Sequence, residues 1–111
     1  MNELSDPLVT IIIPCFNENE TIQTLVDRVK NSEPQNKEII IIDDGSTDGT
    51  QKILKDKIEP NVAKVIYHEK NLGKGAALKS GFGQAIGDII IIQDADLEYD
   101  PKEYPKLLKP I

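Results

Sequence analysis

Four short runs of β-branched apolar residues, at 8–13, 38–42, 63–67 and 88–92, recur along the chain with helix-length segments between them. Isoleucine and valine dominate the runs, and three of the four are nearly continuous rather than alternating, the pattern of strands covered on both faces. The order β-α-β-α-β-α-β-α specifies an α/β fold: a doubly wound, mainly parallel sheet of Rossmann-like βαβ units with right-handed crossovers. In 111 residues there is room for one domain and no second.

The intervening segments carry helical spacing. Over 20–30, Ile22, Leu25, Val26 and Val29 follow the i, i+3, i+4, i+7 pattern, with Asn17 or Asn19 available as the N-cap. A second helix follows the turn-forming cluster 43–49, with Ser46 or Thr47 as cap, carries Ile53, Leu54 and Ile58, and stops at Pro60. Segment 75–86 places Ala77, Leu78, Phe82 and Ala85 on one face, and Gly81 and Gly83 mark close approach to the sheet. A last helix is expected from Pro101.

Composition removes several classes. With 39% apolar and 29% charged residues the chain is neither disordered nor collagen-like. One cysteine cannot form an internal disulfide, and nothing near Cys15 would activate it as a nucleophile. No apolar run approaches the roughly 18 to 20 residues of a membrane span, and the N-terminus lacks a signal-peptide pattern, so a cytoplasmic location is expected. A net charge of −6 argues against a nucleic-acid partner and suits a protein that holds cations between carboxylates.

Ligands of open parallel sheets bind outside the carboxyl ends of the strands, which selects the loops 14–19, 43–49, 68–75 and 93–100. In the first, Pro14 directs the exit, Phe16 offers a face to a planar base or packs in the core, and Glu18 accepts from a ribose or base or simply favours a helix start. In the second, Asp43 and Asp44 are adjacent; one of them pairs with a ligand N–H or a cation, or the cluster is only an Asp/Gly turn. The third, Asn71-Leu72-Gly73-Lys74-Gly75, lets backbone approach an anion beside Lys74, though it matches neither a Walker loop nor a dinucleotide fingerprint. His68 ends a strand. The fourth, Asp94-Ala95-Asp96-Leu97-Glu98, puts three carboxylates at alternate extended positions, hard oxygen ligands for Mg²⁺ or Mn²⁺ bridging a diphosphate.

Taken together, Ile13-Pro14-Cys15-Phe16-Asn17-Glu18, residues 42–50, residues 71–75 and residues 94–98 resemble the N-terminal half of the family 2 inverting glycosyltransferases of GT-A fold. The likeness is greatest to the branch holding dolichyl-phosphate mannose synthases and bacterial polyprenyl-phosphate glycosyltransferases. The resemblance implies that Pro14, Phe16, Glu18, Ile42, Asp44, Asn71, Lys74, Asp94 and Ala95 line a nucleotide-sugar site. It implies that Asp94 and Asp96 are the catalytic pair, and that Asp94, Asp96 and Glu98 are the metal ligands, with Glu98 where some relatives have glutamine. The implied reaction is sugar transfer from a UDP- or GDP-sugar to an acceptor, a polyprenyl phosphate or a glycan, with inversion and metal assistance. Residues 1–111 would then be the donor-binding part, ending before the acceptor half, inactive alone, prone to self-associate through the surface that half covers, and membrane-associated in the full-length protein. Two other classes fit parts of the pattern: a phosphoacceptor receiver-like domain, which lacks the required later lysine, and a sugar nucleotidyltransferase, which would carry a glycine-rich basic loop after the first strand.

Overall fold

The computed structural model describes residues 7–95. Four strands, β1 (Val9–Cys15), β2 (Lys37–Asp43), β3 (Lys64–Tyr67) and β4 (Ile89–Ile92), form one sheet in the order β3-β2-β1-β4. Every neighbouring pair is parallel. The expected last helix, from Pro101, lies outside the described residues.

Both faces of the sheet are covered, as the continuous apolar runs require. On one face α1 (Ile22–Lys30) buries Ile22, Leu25, Val26 and Val29 against Val9, Ile11, Ile13, Ile39 and Ile41, with Leu54 and Ile58 completing the layer. On the other, α3 (Lys74–Gln84) sets Ala77 on Ile12, Ile40 and Ile42. Each fully buried isoleucine contributes about 1.5–3 kcal/mol relative to exposure. Gly81 allows α3 to lie this close, because a Cβ there would stand 2.8 Å from Ile12 Cγ2 and 2.9 Å from Ile42 Cδ1.

Several local expectations are corrected. Neither Asn17 nor Asn19 caps α1: Thr21 holds the N-cap position, and the amides of Thr21 and Ile22 donate to Glu18 O. Both asparagines are instead committed to the second loop. The helix after β2 starts later and is shorter, with α2 at Thr50–Ile53 running into a π-helical turn, Leu54–Ile58, and a 3-10 turn at Glu59–Asn61 that contains Pro60. Ser46 and Thr47 do not cap it; Gly49 takes a left-handed conformation and Asp48 Oδ1 accepts from Thr50 N. Gly83 faces open space rather than the sheet, and Phe82 is 47% exposed rather than packed.

Pro14 sits inside β1 rather than beyond it. The Ile12 carbonyl accepts from Gln93 on the β4 side and that of Cys15 from Asp44 on the β2 side. Alternation therefore turns Pro14, which has no N–H, toward β4, whose ladder has already ended at Ile92. By the same register Ile90 and Ile92 lie on the α3 face, where they, Phe82 and Ile86 remain exposed.

Candidate functional site

The strand order reverses at β1, with β2 on one side and β4 on the other. Such a switch point opens a crevice at the carboxyl edge of the sheet. The register aligns Cys15, Asp43 and Tyr67 across that edge, so the following loops start from one row. They enclose a cleft of about 230 Å³ lined by Pro14, Phe16, Glu18, Asp44, Asn71, Lys74 and Asp94, with Cys15, Gly73 and Ala77.

Side-chain to backbone bonds tie the first loop to the second. Asn17 adopts a left-handed conformation, φ 55°, which asparagine tolerates better than most residues. Its amide donates to Ser46 Oγ at 2.8 Å while its Oδ1 accepts from Thr47 N at 2.8 Å. The Glu18 amide donates to Thr50 Oγ1, and the Glu18 carboxylate accepts from Thr21 Oγ1. Phe16 is thereby left 42% exposed at the cleft, its ring available for stacking.

The adjacent aspartates have separate tasks. Asp43 is fully buried and accepts from Ser46 N at 3.1 Å, Gln51 Nε2 at 2.8 Å and Cys15 Sγ at 3.8 Å. Burial and the neighbouring Asp43 push the Cys15 thiol well up, so it stays protonated and inert. Asp44 points to the third loop: its Oδ1 accepts from His68 Nδ1 at 2.8 Å and Leu72 N at 2.9 Å, and its Oδ2 from Gly73 N at 2.9 Å. Burial alone would raise the Asp44 carboxyl, but hydrogen bonds from His68, Leu72 and Gly73 outweigh it and hold the group below the usual carboxylate range. Gly45, φ +77°, lies against the backbone of Lys70 and Asn71, where any Cβ would collide.

His68 follows β3 directly, as expected, but its ring is more than a strand end. It bridges Asp44 and Ser80 of α3, with Nε2 at 2.9 Å from the hydroxyl. Nothing in the local sequence marks this role, because the partners lie 24 and 12 residues away. Beyond it, Gly73 at φ +100° opens α3, whose first-turn amides have no partner within the helix and whose dipole favours an anion at the cleft.

At the start of α3 the Lys74 ammonium lies 2.6 Å from Asp94 Oδ1. Ala95 is buried and accepts from Thr21 Oγ1 at 3.1 Å, which fixes the fourth loop to the start of α1. Two expected binding residues thus stand outside the cleft lining: Ala95, held through its carbonyl, and Ile42, whose side chain is fully buried beneath α3. Asp96 and Glu98 lie outside the described residues. Among the described residues no three His, Cys, Asp or Glu side chains form a metal-holding group. Asp94, a hard oxygen donor at the cleft with its side chain 28% exposed, suits Mg²⁺ or Mn²⁺ as one member of such a set. Among the described residues no helix is long and apolar enough to cross a membrane.

Comparison with known proteins agrees with this arrangement. The chain is 37% identical to the undecaprenyl-phosphate 4-deoxy-4-formamido-L-arabinose transferase of Aeromonas hydrophila, over 98% of this chain and 35% of that protein. It is 36% identical to the dolichol-phosphate mannosyltransferase of Pyrococcus furiosus, over 93% and 30%. The chain therefore spans about a third of the length of these relatives. Among solved structures it superposes on a mannosyltransferase from Pyrobaculum calidifontis in complex with GDP-Man and Mn²⁺, with TM-score 0.78 and 28% identity, over 94% of this chain and 33% of the other. It also superposes on the glucosyl-3-phosphoglycerate synthase of Mycobacterium tuberculosis with Mn²⁺, UDP and glucosyl-3-phosphoglycerate, with TM-score 0.73 and 26% identity, over 91% and 38%. The fold is that of the GT-A glycosyltransferases. Residues 10–111 match the Glycosyl transferase family 2 profile, and the chain belongs to that family.

Proposed function

We propose that this chain forms the donor-binding part of a sugar transferase, holding a nucleoside-diphosphate sugar in the strand-end cleft for transfer to an acceptor oxygen. The observation that carries the reading is the meeting, in one cleft, of an exposed aromatic ring, a helix N-terminus with Lys74, and Asp94 at the end of β4. Each suits one part of such a donor: Phe16 the base, Lys74 and the first turn of α3 the diphosphate, and Asp94 the cation beside it.

In the transfer, the acceptor oxygen forms a bond to the anomeric carbon as the bond to the diphosphate oxygen breaks. The electron pair leaves with the nucleoside diphosphate, and the acceptor's proton goes to a base unless the acceptor is an already ionised phosphate. Lys74 and the amides of α3 act on the leaving group, where negative charge grows most in the transition state. Asp94, with Asp96 and Glu98 expected beside it, would hold a divalent cation, which when bound supplies further positive charge against the diphosphate. A polyprenyl phosphate is the acceptor class named by the relatives, and it fits a nucleophile that needs no strong base.

Isothermal calorimetry with UDP and GDP in the presence of Mn²⁺ tests this reading. Binding that falls on chelation and on Asp94→Ala supports it. A folded protein that binds neither nucleotide overturns it.

A further inference from the structure

Lys74 is the one cation among the described residues that line the cleft, and three carboxylates, those of Glu18, Asp44 and Asp94, line it too. Two of the three have other partners: Asp44 accepts from His68, Leu72 and Gly73, and Glu18 accepts from Thr21. Lys74 is paired with the third, its Nζ 2.6 Å from Asp94 Oδ1. An ammonium is a compact charge on a flexible four-carbon stem. The lysine side chain is 58% exposed, so the pair parts at little cost.

Two ligands of opposite sign compete with that pair, one for each member. A diphosphate needs the ammonium, but a carboxylate 2.6 Å away offsets the ammonium's attraction and repels the incoming anion. A divalent cation needs the carboxylate, and the ammonium opposes it in the same way. Either ligand, on binding, releases the group that the other requires, so each strengthens the other by an equal factor. We infer that Lys74 is an exchangeable counter-ion, paired with Asp94 before a cation binds and turned to the diphosphate once the cation takes the carboxylate. This rests on the nucleotide-site reading and adds that Asp94 opposes the nucleotide until the cation is bound.

The sign of one substitution tests the exchange. With metal removed by EDTA, Asp94→Asn unmasks Lys74 and should bind UDP about threefold tighter than the native protein, the scale of an exposed ion pair. With Mn²⁺ present the same variant should bind UDP more weakly than the native protein. In a Lys74→Met background, Asp94→Asn should give no gain in EDTA, because no ammonium is there to release. An equal gain in that background would show that Asp94 acts only as one more negative charge, and would overturn the exchange. The reciprocal measurement titrates Mn²⁺ alone and follows the free ion by electron paramagnetic resonance. Lys74→Met should bind Mn²⁺ about threefold tighter, whereas Lys79→Met, which removes an exposed lysine of the same helix, should match the native protein. An unchanged Mn²⁺ affinity in Lys74→Met, or an equal rise in Lys79→Met, overturns the inference even where UDP binding in EDTA is too weak to measure. Absence of UDP binding by the folded native protein in Mn²⁺ overturns instead the nucleotide-site reading beneath it.

Discussion

Lys74 Nζ stands 2.6 Å from Asp94 Oδ1, joining the first residue of α3 to the loop that follows β4 across the mouth of the cleft. The pair is more than half exposed on the lysine side, so its electrostatic contribution to folding is small, within about 1 kcal/mol. Its position argues for ligand binding instead. Lys74→Met should leave the urea midpoint nearly unchanged and weaken UDP binding by roughly tenfold, the share of one charge-assisted contact to phosphate. A large loss of stability with unchanged affinity would reverse this assignment.

Asp44 ties β2 to the third loop through Leu72 and Gly73. Asp44→Asn places an NH₂ against one of these amides and should cost about 1–3 kcal/mol, with faster hydrogen exchange at Leu72 and Gly73. The pH dependence follows from the lowered carboxyl. A group held below its ordinary value of 3.8 contributes stability that is fully present above that value and is lost as pH falls through the folded-state value. Acid denaturation should therefore steepen below about pH 4 in the native protein, and this limb should flatten in Asp44→Asn.

Three glycines with different surroundings give a graded test. Gly45→Ala combines a positive φ with collision against Lys70 and Asn71, and should be the most damaging, at 2 kcal/mol or more by the order-of-magnitude cost of such strain. Gly81→Ala drives a methyl into Ile12 and Ile42, overpacking worth about 1–3 kcal/mol. Gly83→Ala meets open space on a helix and should stabilise by about 0.5 kcal/mol. Thermal melts of the three variants check the order.

Cys15 lines the cleft, yet its thiol bonds to buried Asp43 and stays protonated. A thiol-specific disulfide reagent at pH 8 should label the native protein slowly and the guanidinium-unfolded protein at once. Rapid native labelling would show that the Cys15–Asp43 contact does not persist in solution.

The strands and their parallel pairing were legible because runs such as Ile11–Ile12–Ile13 and Ile39 to Ile42 leave a doubly covered parallel sheet as their best arrangement. The strand-end rule selected the loops that carry Pro14, Phe16, Glu18, Asp44, Lys74 and Asp94, the family resemblance added Asn71, and all seven line one cleft. What stayed hidden depends on contacts across the chain. Asn17 looks like a cap until Ser46 and Thr47 are placed beside it, and Thr21 has no evident function until Ala95 arrives from 74 residues away. Ile42 enters the site only through the family resemblance, and strand alternation places its side chain under α3. His68 gave no local signal, since its partners Asp44 and Ser80 lie 24 and 12 residues away along the chain.

The most direct test of the strand-end cleft as a nucleotide site is an amide chemical-shift map of the protein titrated with UDP and Mg²⁺. The cleft account predicts perturbations concentrated at Phe16, Leu72, Gly73, Lys74 and Asp94, with little change around Lys37, Glu38 and Ala63, which line a separate hollow that does not share these residues. Perturbations centred on that second hollow, or none in a folded protein, would contradict it.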